Sequence, residues 1–97
     1  MLFAILCHDK PGRREVRLAT QPLHLAYLRT YKSKLILAGP LLDADDRPRG
    51  SLLIVDVADW AEAEGFAESD PYAKAGLFES TLIRHIGPVI RDGELVE

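Results

Sequence analysis

Cysteine is scarce in this chain, because Cys7 is the only one among 97 residues. A single thiol excludes an internal disulfide, and the cytoplasm, where thiols stay reduced, is the compartment in which we expect this protein. Cys7 lies in an apolar stretch with no neighbouring group that would activate it. We therefore interpret it as an inert core thiol rather than a nucleophile.

Other features are missing as well. Lysine and arginine form no block that would follow a nucleic acid backbone, and the formal charge of −3 is mild. The apolar runs are too short to span a bilayer, and the segment after Met1 has neither the charged region nor the cleavage site of a signal peptide. We expect neither a nucleic acid nor a membrane as a partner.

Motifs for metals and cofactors are also absent. The three histidines, His8, His24 and His85, are far apart in the sequence and lack the spacing typical of metal ligands. No glycine-rich loop of the kind that binds dinucleotides or phosphates occurs. We therefore expect no metal and no cofactor.

The pattern of apolar residues predicts one domain over residues 1–97 with the element order βαββαβ. A long helix is predicted at 13–32. A second helix is predicted to begin after Asp59, which can cap it, and Glu62 three residues later would complete a capping box. The predicted strands are 2–7, 34–42, 51–57 and 78–86.

Three places in this pattern predict irregular structure. Pro22 predicts a kink or a break in the first helix, since its ring removes one helical hydrogen bond. Gly39-Pro40 predicts an interruption of the second strand. Residues 88–97 form a tail, which is either a small hairpin around Asp92-Gly93 or a frayed end.

The element order fits one four-stranded antiparallel sheet with both helices on one face, the ferredoxin-like arrangement of the α+β class. Strands such as 2–7 and 51–57 are apolar on both faces, however, and two helices cover only one. The other face has an area on the order of 400 Å2. Because such a patch is rarely left in water, we expect a second copy to cover it as a homodimer. The tail could fold back instead, but its ten residues look insufficient.

Residues 69–77 connect the second helix to the last strand. Pro71 keeps Asp70 extended and can open a short helical turn, which Asp70 or the preceding serine can cap and Gly76 can close. The Asp70 carboxylate is therefore held in place, and a fixed carboxylate can orient a histidine, with His24 as the candidate. From this stretch alone, a simple cap is the interpretation we favour.

His24 lies on the flank of the apolar stripe of the first helix, where core meets solvent. A histidine there can move protons near neutral pH when an aspartate fixes its tautomer. The alternative is a half-buried histidine with a purely structural hydrogen bond.

Arg13, Arg14 and Arg17 gather near the start of the same helix, where cations oppose the helix dipole. They either recruit an anion or are solvated or paired with Asp9 and Glu15, and this second interpretation is the one we favour. Arg17 faces roughly the same way as the histidine seven residues later, so it remains a candidate substrate contact.

Five short stretches are spread along nearly the whole chain: Asp9-Lys10-Pro11, Arg17-Leu18, Pro22-Leu23-His24-Leu25-Ala26-Tyr27-Leu28, Ala38-Gly39-Pro40-Leu41 and Asp70-Pro71-Tyr72-Ala73-Lys74-Ala75-Gly76-Leu77. Together, and in this order, they resemble the YCII-related (YciI-like) family. The resemblance implies a dimeric α+β barrel of two ferredoxin-like copies packed sheet to sheet. It also implies a site built on a histidine–aspartate pair, here His24 and Asp70.

Two positions depart from the family pattern. Gln21 stands where an arginine often precedes the proline, which weakens the case for an anion contact there. Lys34-Leu35 occupy a turn in which glycine is common, and this change should alter only the turn.

The resemblance implies proton transfer on a small ring compound, because one branch resembles dehydrochlorinases of chlorinated hydroxyquinols and the wider fold group includes muconolactone isomerases. On that basis His24 would act as general acid and base, oriented by Asp70, in a cofactor-free elimination or isomerisation. Arg17, Ser69 and Tyr72 would line the substrate pocket. The alternative is a non-catalytic dimeric module that binds a small molecule or serves an accessory role.

Overall fold

The computed structural model describes residues 1–96. Its strands are β1 (Leu2–Asp9), β2 (Leu35–Leu42), β3 (Pro48–Asp56), β4 (Phe78–Ile86), β5 (Ile90–Arg91) and β6 (Glu94–Leu95), and its helices are α1 (Arg14–Thr30), α2 (Trp60–Ser69) and the single turn α3 (Pro71–Lys74). A short 3-10 turn, Lys32–Lys34, follows α1.

Strands β1 to β4 form one antiparallel sheet in the order β2-β3-β1-β4. The two central strands pair in a regular register that sets Phe3 opposite Val55 and Ile5 opposite Leu53. This order and the two main helices confirm the predicted ferredoxin-like α+β fold.

The core lies between the helices and one face of the sheet. Phe3 and Ile5 of β1 and Val55 of β3 are fully buried there, and they pack against Ala63 and Phe66 of α2. Tyr27 and Leu28 of α1 pack against the same cluster. Alternation along the two central strands, β1 and β3, therefore directs every second residue into this core.

The predicted start of α2 is confirmed in atomic detail. Asp59 Oδ1 accepts the Glu62 N–H at 2.8 Å, and Glu62 Oε2 accepts the Ala58 N–H at 2.9 Å. Asp59 thus satisfies a backbone donor that the helix terminus leaves free, while Glu62 bonds the residue before the N-cap and not the Asp59 N–H of a standard capping box.

One predicted interruption is wrong, and at Pro22 only the break is excluded. Helix α1 runs through Pro22 as one element, with Arg17 before it and His24 after it both buried. Strand β2 continues through Gly39-Pro40, and it lies at the sheet edge, where proline is tolerated because one side of the strand makes no ladder bonds. Its irregularities lie instead near its two ends.

The face of the sheet away from the helices is apolar. Leu37 and Leu82 on this face are 55% and 43% exposed, and Leu6 and Ile54 between them are half-buried. The dimer that would cover this face stays a prediction. Among residues 1–96, no helix is both long and apolar enough to cross a bilayer.

The tail forms the predicted hairpin. Strands β5 and β6 pair around Asp92 and Gly93, whose φ angles of 52° and 79° fit the type I′ turn. Arg91 Nη2 donates to Asp56 Oδ2 at 3.3 Å, which ties the hairpin to the end of β3. The hairpin therefore leaves leucines of the apolar face exposed.

Candidate active site

His24 and Asp70 come together between α1 and the turn before α3. His24 Nδ1 lies 2.7 Å from Asp70 Oδ1, and the two residues are 7% and 1% exposed. Because a carboxylate accepts, the neutral imidazole carries its proton on Nδ1, and Nε2 keeps its lone pair. The predicted partners therefore meet.

Asp70 serves as helix cap and histidine partner at once. The same oxygen, Oδ1, accepts the Tyr72 N–H at 3.0 Å and so caps α3. Pro71 keeps Asp70 extended at φ −61° and ψ 127°, and Gly76 ends the turn at φ +73°, as predicted. The two interpretations of Asp70 from sequence are thus not exclusive, since one bonded oxygen meets both needs.

The second carboxylate oxygen of Asp70 has no partner. Oδ2 is the one buried side-chain polar atom among residues 1–96 that lacks a hydrogen bond. His24 Nε2 has no partner in that range either, yet it is not a buried atom, so it reaches solvent. Nε2 is therefore the atom of the pair that a substrate could meet.

Tyr72 packs against one face of the His24 imidazole. Its ring stacks on that of His24, with centroids 3.9 Å apart and planes inclined by 19°. Arg17 Cζ lies 4.7 Å from the same ring centroid. Because Arg17 and His24 are roughly 10 Å apart along one helix, the Tyr72 ring fits between them. Tyr72 is only 2% exposed, so its ring holds the plane of the His24 imidazole and offers little surface to solvent.

Arg17 is anchored to the sheet. Its guanidinium forms a bidentate pair with Asp9 at 2.8 and 2.9 Å and donates to the Gly50 carbonyl and Ser51 Oγ. The pairing with Asp9 follows the interpretation favoured from sequence. The contacts with Gly50 and Ser51 were not anticipated, since no local pattern links α1 to a strand more than thirty residues away.

Glycine is required at position 50. A Cβ built there would lie 2.2 Å from the Cys7 carbonyl oxygen, which is a backbone atom and cannot swing aside. Strands β1 and β3 approach closely at Gly50, and the Gly50 carbonyl lies within reach of Arg17.

Ser69 lies apart from this stack. It is exposed and lines a groove of about 390 Å3 with Tyr27, Tyr31 and Phe66. Of the predicted site residues, the structure thus brings together His24, Asp70, Tyr72 and Arg17, and it places Ser69 on a neighbouring surface.

Cys7 is 2% exposed, and burial raises the pKa of its thiol to about 11. The thiolate is therefore rare at neutral pH, which fits the interpretation of an inert core residue. Among residues 1–96, no group of three histidine, cysteine or acidic side chains could hold a metal ion.

We expect neutral His24 to be protonated on Nδ1 in solution, because the contact with Asp70 requires a donor at that nitrogen. Long-range 1H–15N correlation spectra, recorded above about pH 8, where an ordinary histidine is neutral, distinguish the tautomers. His8 and His85, which bond no carboxylate within residues 1–96, supply reference signals. A proton on His24 Nε2 would contradict the described geometry.

A family model described as the YCII-related domain matches residues 1–86. The protein YciI of Escherichia coli O6:H1 is 33% identical over 92 residues, which cover 87% of this chain and 94% of that protein. An uncharacterized protein of Haemophilus influenzae is 30% identical with the same coverage. The resemblance found in the sequence is therefore confirmed over most of the chain.

A solved structure is similar as well. It is 5-chloro-2-hydroxyhydroquinone dehydrochlorinase (TftG) from Burkholderia phenoliruptrix AC1100, in complex with 2,5-dihydroxybenzoquinone. The TM-score is 0.85 at 40% sequence identity, and the match covers 90% of this chain and 94% of that one. Family model, relatives and fold agree, and the chain belongs to the YCII-related family.

Proposed function

We propose that this protein is a cofactor-independent enzyme that uses His24 and Asp70 as an acid–base pair on a small ring compound. The observation that carries the proposal is the asymmetry of His24, whose Nδ1 is bound to a buried carboxylate while Nε2 reaches solvent. A general base needs this arrangement, since one nitrogen is fixed and the other is free to take a proton.

The reaction would be an elimination or an isomerisation. In an elimination, Nε2 takes a proton from the ring compound, the freed electron pair forms a double bond, and chloride or another anion leaves. In an isomerisation, the imidazolium returns the proton to a different atom. Asp70 stabilises the imidazolium in both cases, because a buried carboxylate and a cation attract strongly.

The similarity to a dehydrochlorinase in complex with a dihydroxybenzoquinone supports a substrate of this class. The burial of Tyr72 and Arg17 favours a role in holding His24, and any substrate contact by these residues would be limited to their edges. Ser69 would meet only a substrate that extends into the neighbouring groove.

The proposal is tested by incubating the protein with hydroxylated and chlorinated ring compounds in D2O. Proton NMR reports incorporation of deuterium into the ring, and ion chromatography reports released chloride. Product formation that depends on His24 supports the enzyme. Saturable binding of the same compounds without any product would favour the alternative of a binding module.

The proposal includes a homodimer through the open sheet face. We expect Leu37→Glu/Leu82→Glu to sediment as a monomer and the wild type with twice that mass, because buried carboxylates would oppose pairing of the two apolar faces. Sedimentation velocity measures the difference.

The matched control for this test is Leu23→Glu, since Leu23 is 65% exposed on the outer side of α1. This variant should keep the mass of the wild type. A monomeric wild type, or dissociation by Leu23→Glu as well, would show that the open sheet face is not the interface.

A further inference from the structure

A cleft of about 580 Å3 lies where the connection from β1 to α1 meets the hairpin between β2 and β3. Its volume falls within the range of small-molecule sites. The lining includes six cationic side chains, Lys10, Arg13, Arg14, Arg17, Arg47 and Arg49.

The charge of this cleft is opposite to that of the chain as a whole. The lining has six cationic side chains and three carboxylates, Asp9, Asp46 and Glu79, so its formal net charge is +3. The remaining side chains, six cationic against twelve acidic, carry −6. Half of all cationic side chains are thus gathered in one concave surface, where their fields add and attract an anion.

Most of these cations are free to bind. Arg17 is paired with Asp9 and Arg49 with Asp43. The other four, Lys10, Arg13, Arg14 and Arg47, form no ion pair within residues 1–96. Only two lining carboxylates are likewise unpaired in that range, so the unpaired groups leave an excess of two positive charges.

The N-terminus of α1 also favours an anion in this cleft. Arg13 occupies the N-cap position of α1, and its guanidinium has donors only. It therefore cannot accept a hydrogen bond from the first-turn N–H groups, as a capping serine or aspartate would. Arginines at this end of α1 disfavour the helix by themselves, and a bound anion would offset that cost.

We propose that this cleft binds a small molecule with two negative charges, such as a phosphate monoester or a dicarboxylate. The inference is independent of the acid–base role of His24, although Arg17 contacts both places. Guanidinium groups recognise either oxyanion through paired hydrogen bonds, so the two chemistries share one site.

The test is a 15N–1H NMR titration with inorganic phosphate, and separately with succinate, at constant ionic strength held by sodium chloride. With at least one of these probes, we expect saturable shifts confined to the segments around Arg14 and Arg47. The variant Arg14→Gln/Arg47→Gln should bind at least about tenfold more weakly, since each lost charge-assisted hydrogen bond weakens binding by roughly that factor.

Arg29→Gln is the matched control, because Arg29 lies in the last turn of α1 and forms no ion pair within the described range. It should bind within about twofold of the wild type, as should His24→Asn. Shifts that never saturate with either probe would overturn the cleft assignment. An equal loss of affinity in Arg29→Gln would indicate attraction by bulk charge alone. A loss of affinity in His24→Asn would indicate that the anion binds at the histidine and not in the cleft.

Discussion

Replacing His24 by asparagine should lower turnover of the ring-compound substrate by about 10²–10⁴-fold, the usual contribution of a general acid or base. Asparagine retains an N–H that can donate to the buried Asp70 carboxylate, which the histidine now satisfies at 2.7 Å. It has no counterpart of Nε2, however, so the variant loses the proton acceptor and keeps the buried bond. The measurement is kcat and KM for the substrate found in the D2O experiment.

The split between the two constants distinguishes the hypotheses. Loss of a base lowers kcat with little change in KM, whereas loss of a binding contact raises KM. His85→Asn is the control, since His85 is an exposed residue of β4 that stacks on Phe3. Undiminished kcat in His24→Asn would remove the proposed role of His24, and an equal loss in His85→Asn would indicate an effect on folding.

For the contact between His24 and Asp70, the sequence alone predicts one partner's position but not the pairing. Local rules place Asp70 in a fixed turn, because proline restricts the residue before it and glycine ends the turn. These rules do not select which histidine the carboxylate meets, since 46 residues separate the two partners. The resemblance to the family supplied that pairing, and the geometry then explains it through one oxygen shared with the cap of α3.

Local signals for interruption can be overruled by the place of a residue in the fold. Pro22 does not end α1, whose residues Arg17 and His24 on either side of it are buried, and Gly39-Pro40 does not interrupt β2, which is an edge strand. The position of a strand within the sheet is set by pairing between distant segments, which periodicity along the chain does not encode.

The sequence indicated only some of the cationic residues that line the basic cleft. For the arginines near the start of α1, solvation or pairing with acidic neighbours was favoured over an anion site. That interpretation holds for Arg17, which pairs with Asp9, and for Arg13 and Arg14, which are exposed to solvent. The sequence did not indicate the hairpin that brings Arg47 into the same cleft, because it lies more than thirty residues further along the chain.

Replacing Arg17 by methionine should lower the free energy of unfolding by about 3–5 kcal/mol, the usual cost of removing one partner from a buried ion pair. The Asp9 side chain is 11% exposed, so its carboxylate would stay buried without its cation. The Gly50 carbonyl and Ser51 Oγ would lose a donor as well. Urea unfolding measures the change as a lower midpoint at an unaltered slope.

Arg49→Met provides a control at an exposed ion pair with a similar contact length. The Arg49–Asp43 contact is 2.7 Å long and the Arg17–Asp9 contact is 2.8 Å long, but the Arg49 side chain is 63% exposed and that of Arg17 9%. An exposed pair contributes about 0–1 kcal/mol, so Arg49→Met should unfold near the wild-type midpoint.

The double variant Asp9→Asn/Arg17→Met separates the charge from the packing. If the cost of Arg17→Met arises from an uncompensated buried carboxylate, a neutral asparagine at position 9 should restore much of the lost stability, because no charge is left without a partner. If the cost arises from lost packing beside Tyr72, the double variant should be no more stable than Arg17→Met. Equal losses in Arg17→Met and Arg49→Met would contradict both explanations, since each explanation requires the buried surroundings that only Arg17 has.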